Sequence, residues 1–231
     1  MFREIMEEVG EGFSGLAAHR YVADIIRYHR IQASPGYREA AEYGCQRLRG
    51  FGLAAQILSY PAREGVSFWA QPSFQEWEAR GATLHLVEPE RRKLADYHDM
   101  KLSLIQRSAP FQGEAELVIL EDGLEEEEYQ GLDLRGKVVL TKGEVRRVHY
   151  LAVERGGAVG ILYDGIKELA GLERRSLLPQ ALQYTSFWWY GGERRCFGFV
   201  LSPQEGARLR RLAQKLRGEG APPPRLQAGV D

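Results

Sequence analysis

The spacing of apolar residues changes period several times along the 231-residue chain. The first dozen residues are acidic and carry Gly10 and Gly12, which predicts a loosely docked lead-in. From Leu16 to Tyr28 the pattern is helical, with Val22, Ile25, Ile26 and His29 on one face. Ser34-Pro35 then opens a second helix, with Ser34 as N-cap and Pro35 at the first helical position. Its inward stripe is Ala41, Cys45 and Leu48, and Gly50 and Gly52 end it. Residues 55–60 and 83–87 read as strands. Residues 61–82 and 90–113 show no clear period, apart from a short apolar stretch at 103–106.

The clearest pattern lies further on. Residues 115–120 predict a strand, 125–129 a short acidic helical turn, and 136–141 a strand rich in β-branched residues. A helix is expected over 146–155, ended by Gly156-Gly157, and then a strand over 158–163. That last strand is apolar almost throughout, as a strand covered on both faces should be. A strand, crossover helix and strand of these lengths form a βαβ unit with parallel strands. Further strands are expected at 183–188 and 196–201. Ser202-Pro203-Gln204-Glu205 is a capping box that starts the final helix, with Leu209, Leu212, Ala213 and Leu216 inward. Pro222-Pro223-Pro224 blocks its continuation, and Leu226, Ala228 and Val230 alternate like the start of a strand.

Composition narrows the function classes. Apolar residues make up 44% and charged residues 27%, with a formal net charge of −1. The absence of a basic excess argues against a nucleic-acid partner. No apolar run reaches the roughly 18 residues that a membrane span needs. The acidic start is unlike a signal peptide, so the expected compartment is the cytoplasm, with secretion left open.

Few residues offer reaction chemistry. Cys45 and Cys196 lie far apart, without the spacing of a metal knuckle or a disulfide framework, and Cys45 falls on an inward helix face. Asp96-Tyr97-His98-Asp99 is the nearest approach to a metal cluster, but it lies in an irregular stretch without further ligands. His149 and Glu154 do not form HExxH, Ser34 lacks a G-x-S-x-G elbow, and the glycines at 156–160 end a helix rather than begin one. The expected catalytic and metal residues are therefore none. The most unusual stretch is Phe187-Trp188-Trp189-Tyr190. Side chains alternate along an extended chain, so about two of the four should point away from the core. These four residues are the candidate interaction patch, because exposed apolar surface marks interfaces.

Residues 115–163 contain the strand Ala115-Glu116-Leu117-Val118-Ile119-Leu120, then Asp133-Leu134-Arg135-Gly136-Lys137-Val138-Val139-Leu140 and, after the helix, Gly157-Ala158-Val159-Gly160-Ile161-Leu162. This resembles a protease-associated (PA) domain, with its D-L/V-x-G-K-I/V-V-L and G-A-x-G-x-I/L strands. Upstream, His29-Arg30-Ile31-Gln32-Ala33-Ser34-Pro35-Gly36 resembles the front of di-zinc aminopeptidases of the aminopeptidase S and Y type. That family usually has glycine where Ala33 stands here. The resemblance implies an α/β chain: a helix-helix-strand front over 1–60, a swivelling β/β/α PA-like domain over 61–220, and a Pro-rich linker with the start of a strand over 221–231. Residues 61–113 could serve either part.

The family's metal site requires a His-x-Asp element, and none of His19, His29, His85, His98 or His149 has an aspartate two residues later. Zinc is therefore expected only in a catalytic domain outside this chain. The implied role is a non-catalytic portion that covers an active-site entrance and helps substrate selection. Its implied partners are that catalytic domain, a peptide substrate or a second copy. The alternatives are a free-standing PA-fold binding protein and a hydrolase of unrecognised type using Cys45 or the 96–99 cluster.

Overall fold

The computed structural model describes residues 1–168 and 175–231. The chain packs as two compact units, Met1–Ala62 and Arg63–Asp231.

The first unit contains α1 (Phe2–Gly12), α2 (Gly15–Ile25) and α3 (Pro35–Gly50). Helix α1 replaces the loose lead-in expected from the sequence. Phe2, Ile5, Met6 and Val9 recur at helical spacing, and Glu4 in the first turn suits the positive end of the helix dipole. None of its residues is buried. Ser14 Oγ accepts a hydrogen bond from Ala17 N at 3.2 Å and caps α2. Ser34 Oγ accepts from Tyr37 N at 3.3 Å and caps α3, with Pro35 in the first turn. Just before this cap, Ala33 sits at φ 57°, in the left-handed region where a side chain is strained. A Cβ on Gly36 would lie 2.5 Å from the His29 carbonyl oxygen, so a glycine is needed there. The strand expected at 55–60 does not form. These residues join no ladder, and Ile57 and Leu58 are exposed.

The second unit begins with a two-residue hairpin, β1 (Ser67–Phe68) and β2 (Gln71–Pro72), with Trp69 fully exposed at its tip. A seven-stranded sheet follows. Its strands are β3 (Ala82–Glu88), β4 (Arg92–Asp96), β5 (Phe111–Ile119), β6 (Val138–Thr141), β7 (Gly160–Tyr163), β8 (Phe197–Val200) and β9 (Arg225–Val230), in the order β4-β3-β9-β5-β6-β7-β8. Strands β5 to β8 are parallel, whereas β9 runs antiparallel to both β3 and β5.

The βαβ expectation holds. β6 and β7 pair in parallel from Val138↔Gly160 to Thr141↔Tyr163. They are joined by α4 (Val145–Val148), which continues into a π-helical stretch, His149–Arg155. Side chains alternate between two cores. Val139 and Ile161 pack with Val148 and Ala152, while Leu140, Leu162 and Phe199 pack with Leu209 of α5 (Pro203–Gly218) on the other side. Both faces of these parallel strands are thus covered.

Two further expectations are corrected. Residues 90–113 are not wholly irregular, because they supply β4 and the start of β5. Residues 183–188 form no strand, only an isolated bridge between Ser186 and Gln106. The strand anticipated from the alternation of Leu226, Ala228 and Val230 does form: β9 sits between β3 and β5, with all three residues buried.

One buried charge ties β7 to α5. Asp164 follows β7 and is wholly buried. Its Oδ2 accepts from Arg175 and Arg210, each at 2.6 Å, and its Oδ1 accepts from Arg210 at 3.1 Å. Gly206 of α5 lies directly against it; a Cβ there would stand 2.0 Å from Asp164 Oδ2. Ser202 Oγ caps the helix by accepting from Glu205 N at 3.2 Å.

Candidate functional site

The aromatic run 187–190 crosses the second unit as an extended segment. It is held by Phe187 N donating to the Gln106 carbonyl at 3.0 Å and by Gln106 N donating to Thr185 O at 3.2 Å. The side chains alternate as extended backbone requires. Phe187 and Trp189 are 2% and 5% exposed, whereas Trp188 and Tyr190 are 38% and 44% exposed. The buried pair stacks at 4.9 Å between ring centroids, and His149 meets Trp189 edge-on at 5.1 Å. Trp189 Nε1 donates to the Arg107 carbonyl at 2.6 Å.

The exposed side of this segment is built around Arg107, which sequence reasoning missed. Arg107 is 1% exposed and has a left-handed backbone, φ 64°. Its guanidinium stands 4.6 Å from the Trp188 ring centroid and 5.5 Å from that of Phe74. Trp188 and Phe74 themselves meet edge-to-face at 5.8 Å. The guanidinium also donates to Ser186 Oγ at 2.9 Å. Burial lowers its pKa, and the nearby Tyr184 and Tyr190 oppose that shift. Stacking between aromatic faces is a recognised setting for arginine. Here it fixes the tilt of Trp188, so the outer surface is a supported aromatic face rather than a loose side chain. The signal available in the sequence was one charge inside the otherwise uncharged run 102–111.

The other candidates have structural employment. His149 Nε2 lies 2.8 Å from the Arg194 carbonyl, and Glu154 Oε1 accepts from Arg194 N at 2.8 Å, so both hold the backbone of Arg194 in place. Lys93 Nζ bonds Asp99 at 2.6 Å and Asp96 at 3.4 Å. The His98 backbone N–H, followed by Lys93, lowers the Asp96 pKa. An ammonium thus occupies the position a cation would take between these carboxylates. Among the described residues, no group of three or more His, Cys, Asp or Glu side chains is placed to hold a metal. Cys45 and Cys196 are both buried, and burial raises the Cys196 pKa far above neutrality. Among the described residues, no helix is long and apolar enough to cross a membrane.

No known family profile and no curated protein sequence matches this chain. Solved structures do. A Peptidase M28 precursor from Shewanella amazonensis aligns at TM-score 0.55 and 13% identity over 88% of this chain and 43% of its own. A zinc aminopeptidase from Bacillus subtilis aligns at TM-score 0.52 and 15% identity over 87% of this chain and 39% of its own. An aminopeptidase from Aneurinibacillus sp. strain AM-1 aligns at 18% identity, with TM-score 0.45, over 91% and 42%. The chain thus spans about two-fifths of the length of these structures. Residues 63–231 make up less than three-quarters of the chain, so the first two alignments extend into the helical unit. At these identities the likeness is one of fold.

Proposed function

We propose that this chain is the accessory front of a zinc-aminopeptidase-like protein: a helical segment followed by a PA-like unit, without catalytic machinery of its own. The carrying observation is the partial-length match. The alignments with the Shewanella and Bacillus structures take in most of this chain, yet cover well under half of each of those structures. A second observation supports this reading. Of the 62 residues in the first unit, only Ile31, Ser34 and Cys45 are buried. A helical segment with so small a core normally belongs to a larger body.

In this reading the PA-like unit lies beside the entrance to a peptidase site. It uses the aromatic face of Trp188 and Tyr190, set by Arg107, to engage substrate or the peptidase region. Exposed aromatics backed by a rigid support are the usual anchors of such contacts. The test is a peptidase assay on the purified chain with added zinc, using aminoacyl-p-nitroanilides. No turnover is expected, and EDTA-sensitive hydrolysis that co-purifies with the chain refutes the reading. Sequencing the reading frame past the Asp231 codon provides an independent check. A His-x-Asp element followed by paired glutamates supports the proposal, whereas an immediate stop codon favours a free-standing binding protein.

A further inference from the structure

A separate cavity lies within the second unit, lined in part by Trp189. Its volume is about 180 Å³, and its walls are Trp77, Ala79, Ala109, Pro110, Trp189 and Val230. Pockets for drug-sized ligands run from about 300 to 1,000 Å³, so this cavity is too small for a whole molecule of that kind. An apolar cavity of about 150 Å³ holds a benzene ring, so the space suits one side chain. Both indole N–H groups in its walls are already used. Trp77 Nε1 donates to Ser108 O at 3.2 Å, and Trp189 Nε1 donates to Arg107 O at 2.6 Å. What the indoles leave for a guest is ring surface, beside the methyl groups of Ala79, Ala109 and Val230; Gln75 is a polar group of the lining, and the Ser108 hydroxyl is engaged by Ile105 and Gly198.

The border of the cavity supplies the second half of the recognition. The exposed Glu76, Glu78 and Asp231 line it, as does one exposed cation, Arg195. Arg195 is engaged by Gln75 Oε1 at 2.7 Å and lies 4.0 Å from Glu64. Arg107 also contributes to the wall, but its guanidinium is directed to Ser186 and Trp188. The accessible charge at the mouth is therefore mainly acidic.

We propose that this cavity binds one bulky apolar or aromatic side chain of a peptide whose neighbouring residue is basic. The inference does not depend on the presence of a peptidase region and stands or falls by itself. A single inserted side chain supports only millimolar affinity, so the probe is a blocked dipeptide observed by NMR of the four tryptophan indole N–H signals. Single Trp→Phe variants assign those signals.

Acetyl-Phe-Lys-amide is expected to shift the Trp77 and Trp189 signals saturably and to leave Trp69 unmoved. Acetyl-Gly-Lys-amide should produce no saturable shift, and acetyl-Phe-Glu-amide should bind about threefold or more weakly. Ala109→Phe fills the cavity and should abolish the shifts. Glu78→Lys alters only the exposed border and should bring the Lys and Glu peptides to equal affinity, which keeps the test valid if the filling variant fails to fold. No saturable shift up to about 20 mM overturns the proposal. Shifts confined to Trp69 or Trp188, or a preference for the Glu peptide, overturn it as well.

Discussion

The contact between Asp164 and Gly206 permits a test in which the cost of one substitution depends on its background. Asp164 is wholly buried and accepts three charge-assisted hydrogen bonds from Arg175 and Arg210. Removing one partner of such a group typically costs about 3–5 kcal/mol. The two arginine side chains remain 26% and 21% exposed, so they can turn towards water once the carboxylate is gone. That relief puts Asp164→Ala at the lower end, about 3 kcal/mol. For a unit of this size the loss is equivalent to a fall of about 6–12 °C in Tm.

Gly206→Ala in the natural sequence places a Cβ 2.0 Å from Asp164 Oδ2, and overpacking of this kind costs about 1–3 kcal/mol. In the Asp164→Ala background the carboxylate is absent, but the Cβ of residue 164 remains 2.6 Å from the new Cβ, so part of the overlap persists. Gly206→Ala then costs less than in the natural sequence, because helix propensity, worth up to about 1 kcal/mol, offsets a smaller clash. All four tryptophans, Trp69, Trp77, Trp188 and Trp189, lie in the second unit, so urea unfolding followed by tryptophan fluorescence reports that unit alone. An Asp164→Ala loss below about 1 kcal/mol refutes the reasoning, as does a Gly206→Ala cost as large in the Asp164→Ala background as in the natural sequence.

Ala33→Gly should stabilise the helical unit by about 0.5–1 kcal/mol, because relief of left-handed strain exceeds the added unfolded-state entropy; a far-UV circular dichroism melt checks this. Cys196 should resist thiol reagents in the native state and react only at the rate of unfolding, which Ellman's reagent measures with and without urea. Asp96 should titrate below the ordinary aspartate value. Its stabilising contribution is complete above that value and is lost as pH falls through the lower folded-state value. Lys93→Met should move its titration upward, read by carboxyl carbon NMR. Arg107→Leu should leave Phe187 and Trp189 packed but release Trp188, seen as a red-shifted, more quenchable tryptophan emission.

Elements with self-contained signals were legible in the sequence. The β6–helix–β7 unit announces itself through two apolar runs and a Gly-Gly stop, and α5 through Ser202-Pro203 and its leucine stripe. Elements whose identity depends on distant partners were not. Strand β4 reads Arg-Lys-Leu-Ala-Asp, which is too polar to suggest a strand until β3 is beside it. Residues 55–60 have the composition of a strand, yet no ladder partner fixes them. In the aromatic run, alternation alone anticipated two inward and two outward rings. Nothing local indicated that the outward Trp188 rests on Arg107, 81 positions earlier in the numbering, because a cation between two rings requires the fold to bring 74, 107 and 188 together.

The place of β9 governs how this unit can be made. A ribosome delivers β3 and β5 long before residues 225–230 emerge, and those two strands have only β9 to join them. Until then the growing chain carries two unmatched backbone edges, the condition under which nascent proteins pair with one another. Any truncation before Arg225, including one made to trim a seemingly dispensable tail, would remove the keystone rather than the fringe.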